Sequence, residues 1–140
     1  MANAFFKMFV GVHVSLYRWT GGRVGSSMAG GKVLLLTTTG RKTGKTRTVP
    51  VMYIEDAKGN PVVAASYAGK PVHPAWFHNI QKSVDVRYQI RDREVAARAE
   101  VLPAAERDIL WKELTTRYPN FAAYEKKTTR VIPMVALHAT

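Results

Sequence analysis

The period of the apolar positions divides the chain. Residues 3–19 repeat at helical spacing and predict a helix; from Lys32 the pattern turns to strands. On the helical wheel Lys7, Gly11, Ser15 and Arg18 share one narrow face, with Phe5, Phe9, Val12, Leu16 and Trp19 opposite. The run is too short, and too interrupted by Lys7, for a good membrane span. No basic stretch precedes it and no clean small-residue cleavage site follows, which argues against a signal peptide. Two readings stay open. The helix covers one side of the core, or it lies on anionic lipid.

Between Thr20 and Gly31 five glycines and two serines interrupt the pattern, which reads as a flexible linker. The expected organisation is therefore a helix and linker over 1–31 and a folded domain over 32–140. In that domain Lys32 to Thr39 predicts a buried strand, Gly40 to Gly44 a turn, and Thr46 to Glu55 a second strand. Pro50 lacks an N–H, so it demands an edge, a bulge or a ligand-facing position. Val62 to Ser66 is the third strand, after a Gly59-Asn60-Pro61 hairpin. A short helix is predicted from Ala75 to Gln81. Asp85 to Ile90 and Glu94 to Val101 form a second hairpin, Ala104 to Tyr118 a helix opened by Pro103, and Val131 to His138 the last strand. Six short strands with few helices predict a mainly β, α+β fold: a small antiparallel, Greek-key barrel.

Charge sharpens this picture. The 140 residues carry 21 Lys and Arg against 10 Asp and Glu, a formal net charge of +11. Eight bases precede the first acid, Glu55, so the excess sits in the first third and should meet an anion: nucleic acid, a membrane surface or a phosphorylated ligand. The absence of Cys excludes disulfides, thiolate catalysis and zinc–thiolate sites. His13, His73, His78 and His138 are scattered away from carboxylates, so no metal site is expected.

Three segments carry candidate chemistry. Gly40 to Arg47 places Arg41, Lys42, Lys45 and Arg47 beside two glycines and the hydroxyls of Thr43 and Thr46. It ends like a phosphate-binding P-loop, but only three residues separate the glycines and a strand follows instead of a helix. What remains is an anion-binding turn or a solvated basic hairpin. Ser66 to Asn79 ends an apolar strand and then gathers Trp76, Phe77 and Asn79, either a pocket rim or core. Tyr118, Phe121 and Tyr124 recur every three residues, either as pocket hydroxyls and rings or as the inward face of a helix.

Taken in order, Leu36 to Gly44, Arg47 with Pro50, Val63 to Ser66, His73 to Asn79, and Tyr118-Pro119 through Ile132-Pro133 resemble the deazaflavin-dependent nitroreductase family. These are quinone and nitro reductases of actinobacterial type that use coenzyme F420. The resemblance implies a split β-barrel of the FMN-binding kind, with helices packed on it. It implies that Arg41, Lys42, Thr43, Gly44 and Arg47 hold the cofactor phosphate and acidic tail. Pro50, Ala64, Ala65 and Ser66 would line its ring, with Trp76 and Asn79 on the segment closing over it. Tyr118, Phe121 and Tyr124 would face substrate, with Tyr124 as the donor to the acceptor oxygen and Ser66 assisting. Two departures stand out. Phe121 replaces a tyrosine of nitro-reducing members, which favours quinones or enones over nitroaromatics, and Tyr67 replaces a basic residue. The resemblance also implies a cytoplasmic enzyme, with a peripheral contact at the inner face of the membrane as the sharper reading of the lead helix. An FMN enzyme on the same barrel, or a nucleic-acid-binding barrel, are the alternatives. Against the first, FMN has no acidic tail to occupy so many bases; against the second, aromatics do not interleave with the bases.

Overall fold

Strand β2 (Gly31–Thr39) is buried along most of its length because it packs against a different core on each face. The computed structural model describes residues 31–140, Ser27–Met28, and residues 10, 11, 13–15, 17 and 18. A two-residue strand, β1 (Ser27–Met28), pairs antiparallel with the start of β2, Ser27 opposite Lys32 and Met28 opposite Gly31. The stretch expected to be all linker therefore contributes a strand before the barrel begins.

Five further strands follow: β3 (Thr46–Glu55), β4 (Pro61–Ala64), β5 (Asp85–Ile90), β6 (Arg93–Val101) and β7 (Met134–Ala139). Helix α1 (Ala75–Lys82) precedes β5, and α2 (Ala104–Arg117) and α3 (Pro119–Lys126) lie between β6 and β7. The order β2-β3-β4-β7-β6-β5, with β5 pairing back onto β2, closes an antiparallel barrel of six strands. The neighbours β4–β7 and β2–β5 are distant in sequence, as in a Greek key.

Cross-strand register sorts the side chains, since opposed residues share a face. Leu34 faces Val51, and Leu36 faces both Val49 and Tyr88; Val63 lies between Tyr53 and Val135. These fill the barrel, and Trp76, Phe77 and Ile80 of α1 join the same cluster. The alternate residues Val33, Leu35, Met52, Ile54 and Val62 face outward. There Trp111 and Leu114 of α2 and Phe121 of α3 cover them, together with Val14 and Tyr17.

The described residues between 10 and 18 are helical, as expected. Gly11, Ser15 and Arg18 are exposed, matching the polar face of the wheel. The buried face is carried by Val14 and by Tyr17, which is fully buried; Lys7, Phe5, Phe9, Val12, Leu16 and Trp19 lie outside the described residues. The Tyr17 hydroxyl accepts the Arg91 N–H at 2.7 Å and lies 3.1 Å from the carbonyls of Val33 and Gln89. It thus caps the tight β5–β6 turn, where Arg91 adopts a left-handed φ of 58°. Burial pushes the Tyr17 phenol up, against the pull of the Arg91 N–H and charge, so it stays protonated and able to donate.

Some boundaries differ from the sequence reading. The helix expected from Ala104 to Tyr118 stops at Arg117. Tyr118 precedes a proline and takes an extended φ of −130°, and Pro119 opens α3. Strand β4 ends at Ala64, not Ser66, because the chain turns sharply through Tyr67, Ala68 and Gly69 at φ values of 48°, 54° and 79°. The last strand starts at Met134, after Pro133, whose carbonyl accepts the Ala65 N–H.

Candidate cofactor and substrate site

Strand β3 outruns its neighbour. Only Tyr53, Ile54 and Glu55 pair with β4, so Thr46 to Met52 has an open edge on that side. Pro50 sits in this unpaired half, opposite Leu35 on its other side, where its missing N–H breaks no β3–β4 bond. Val49, beside it, forms part of the floor of a pocket of about 330 Å³.

The basic segment is the β2–β3 turn that overhangs this pocket. The Gly40 N–H donates to the Lys45 carbonyl at 2.7 Å, the Gly44 N–H to the Gly40 carbonyl at 2.8 Å, and the Lys45 N–H to Thr43 Oγ1 at 3.2 Å. A Cβ on Gly40 would lie 3.0 Å from both the Lys45 oxygen and Thr43 Oγ1, and Gly44 has a φ of 73°, so glycine suits both places. The strand continues after the turn, as the rejection of a P-loop required.

Helix α1 pins this turn from below. Asn79, 3% exposed, accepts the Arg41 backbone N–H at 3.1 Å through Oδ1 and donates from Nδ2 to Thr38 Oγ1 at 3.0 Å. Lys82, one turn further along α1, donates from Nζ to the Arg41 carbonyl at 2.8 Å. Lys42, Lys45 and Arg47 are exposed, and among the described residues no carboxylate forms an ion pair with any base of the turn. The result is an uncompensated cationic rim, braced at Arg41, over an apolar floor of Val49, Ala75 and Trp76.

A second group lies on the outer face. Ala64, Tyr118 and Tyr124 are half-buried against the same cluster. Phe121, expected at the substrate face, is 5% exposed, with its ring edge-on to Trp111 at 6.4 Å and to Tyr124 at 5.6 Å. Its ring is part of the core between α2 and α3. Ala65 is fully buried with the barrel interior, and Ser66 is 8% exposed.

The structure therefore gathers Arg41, Lys42, Thr43, Arg47, Trp76 and Asn79 around one pocket, with Gly44 shaping the turn. Ala64, Tyr118 and Tyr124 form a separate group, and Ser66 belongs to the turn that joins it: a Cβ on Gly69 would sit 2.7 Å from the Tyr124 carbonyl oxygen. Sequence reasoning missed Lys82, although its i+3 spacing from Asn79 on α1 was a usable signal. It also missed Arg130, whose guanidinium reaches the carbonyls of Ala65, Ser66 and Lys70 and the ring of His73. No local pattern marks that residue.

The sequence profile described as F420H(2)-dependent quinone reductase matches residues 9–139. An F420H(2)-dependent quinone reductase of Mycobacterium tuberculosis is 33% identical over 130 residues, 90% of this chain and 87% of that protein. A solved F420-H2 dependent reductase superposes with a TM-score of 0.69 at 37% identity, covering 76% of this chain and 93% of the other. A domain-swapped dimer superposes with a TM-score of 0.72 at 31% identity, covering 96% and 97%.

Proposed function

The chain belongs to the F420H(2)-dependent quinone reductase family, oxidoreductases whose cofactor is coenzyme F420, and from that premise we propose which of its residues do the work. The cationic rim carries the reading. Arg41, Lys42 and Arg47 stand without carboxylate partners over an apolar pocket, the donor set an anionic cofactor with a flat ring requires.

In this reading Arg41, Lys42, Thr43, Gly44 and Arg47 hold the phosphate and acidic tail. Trp76 and Val49 supply apolar surface, Asn79 keeps the Arg41 backbone in place, and Pro50, Ala64 and Ser66 flank the ring, whereas Ala65, expected beside them, packs into the barrel interior. Reduced coenzyme F420, when bound, supplies the hydride. The protein must keep water away and place a donor where negative charge develops on the acceptor oxygen. Tyr124 takes that role, with Ser66 assisting and Tyr118 beside it. A quinone or enone is the acceptor this arrangement favours, because Phe121 brings no hydroxyl and its ring lies in the core. A peripheral contact with an anionic membrane rests on the net charge of +11. Cosedimentation with anionic and with neutral vesicles tests it, and equal binding to both would remove it.

The main test is a fluorescence titration with oxidised coenzyme F420, FMN and a single-stranded oligonucleotide. Tight deazaflavin binding that is lost in Lys42→Glu is the expected result. Preference for FMN, or binding of the oligonucleotide alone, would falsify the assignment of the rim.

A further inference from the structure

Arg130 lies four residues beyond α3 and reaches back to the loop that leaves β4. Its Nε donates to the Lys70 carbonyl at 3.0 Å, Nη1 to the Ala65 carbonyl at 3.1 Å, and Nη2 to the Ser66 carbonyl at 2.7 Å. Nη1 also lies 3.0 Å from His73 Nδ1. Three carbonyls within six residues converge on one planar cation, and among the described residues it forms no ion pair with a carboxylate. A partly buried guanidinium without an acid is costly to keep. Burial pushes its pKa down.

The loop needs such a clamp. Tyr67 and Ala68 adopt left-handed φ values, which non-glycine residues avoid. Gly69 follows, in close contact with the Tyr124 backbone. Only two backbone bonds close the turn itself, Gly69 N–H to the Ser66 carbonyl and Lys70 N–H to the Tyr67 carbonyl. His73 extends the clamp to α1, where its ring lies tilted at 43° against Phe77 with centroids 4.7 Å apart.

We propose that Arg130 is a positioning residue for the reduction, holding the Ser66 loop against the end of α3 and so setting Ser66 relative to Tyr124. This rests on the roles given above to Ser66 and Tyr124. Lysine cannot replace it, because a point charge lacks the planar fork that meets several acceptors at once. The clamp also has a protonation requirement. His73 Nδ1 accepts from Arg130 only in the neutral ring with its proton on Nε2. Burial, then the Arg130 and His78 charges, push its pKa below the ordinary histidine value. The clamp is therefore complete at neutral pH, and its His73 arm is lost as pH falls through that lowered pKa, when two cations face each other and the three carbonyl bonds hold the loop alone.

The test uses the full chain with reduced coenzyme F420 and a soluble naphthoquinone. Arg130→Lys is expected to speed hydrogen exchange at the Gly69 and Lys70 amides and leave Gly40 and Gly44 unchanged. Its kcat should fall about tenfold or more, as misplacement of reacting groups does, with cofactor affinity retained. His73→Gln keeps an acceptor but cannot gain a proton. It should lower kcat less than Arg130→Lys does and remove the acid limb of the pH profile; it carries the test alone if Arg130→Lys does not fold. Unchanged exchange at Gly69 and Lys70 overturns the clamp. Faster exchange with an unaltered kcat overturns the positioning role. If the unsubstituted protein does not turn over the quinone at all, the roles of Ser66 and Tyr124 fail, and the exchange data still report on the clamp.

Discussion

Asn79 Oδ1 accepts the Arg41 backbone N–H at 3.1 Å while its Nδ2 donates to Thr38 Oγ1 at 3.0 Å, so one buried amide joins α1 to the end of β2 and to the start of the basic turn. Asn79→Ala leaves these partners unmatched, at a cost of about 1–3 kcal/mol. Cofactor affinity should fall roughly tenfold as the turn loosens, the equivalent of about 1.4 kcal/mol. Calorimetric titration checks this, and an unaltered dissociation constant would show that the turn keeps its shape without the amide.

Lys42, Lys45 and Arg47 are exposed, so their attraction for an anion is screened by salt. The affinity of the unsubstituted protein for coenzyme F420 should weaken as ionic strength rises from about 0.01 to 0.15 M, where the screening length shortens from about 30 to 8 Å. Lys42→Glu should bind more weakly and respond less to salt. Identical salt slopes for the two proteins would place the charge recognition elsewhere.

Tyr124 is half-buried beside Phe121 and the Ser66 turn. Tyr124→Phe keeps the ring packing and removes the hydroxyl. Turnover of a quinone should drop by roughly tenfold or more, corresponding to about 1.4 kcal/mol of transition-state stabilisation, with cofactor binding intact. Steady-state rates paired with a binding titration separate the two effects, and full activity in the variant would remove the hydroxyl from the mechanism.

Tyr17→Phe tests how the lead segment is held. The substitution keeps the buried ring but deprives the Arg91 N–H of its hydroxyl acceptor, which should cost about 1–3 kcal/mol. Thermal unfolding should shift down by several degrees with the cofactor dissociation constant unchanged. A shift in affinity instead would connect this segment to the site.

Most of the architecture is readable locally. The strands over 46–55 and 85–90 have the expected bounds, because clear turn residues flank them. Pro50 demanded an edge, a bulge or a ligand-facing position, and the structure has an open edge there. The cationic rim was legible because its bases and glycines are adjacent in the chain. The site was less legible wherever a side chain serves a distant partner. Phe121 repeats with Tyr118 and Tyr124 at a spacing that does not say which ring turns inward, and packing against Trp111 decides it. Tyr17 falls outside the apolar arc read from the wheel, since its worth is a hydroxyl bonded to the β5–β6 turn, 74 residues away at Arg91.

By itself the sequence determined the strand and helix periods, the tight turns, the surplus of positive charge and its concentration between Arg41 and Arg47. Those are properties of neighbouring residues, set by backbone geometry and short-range electrostatics. Only the tertiary structure decided which face of β2 looks into the barrel, that Asn79 and Lys82 brace the basic turn, and that Arg130 holds a loop some 60 residues earlier in the chain. Barrel closure sets that parity for every strand at once. A guanidinium, likewise, carries no mark in the sequence of the carbonyls that chain folding will bring to it.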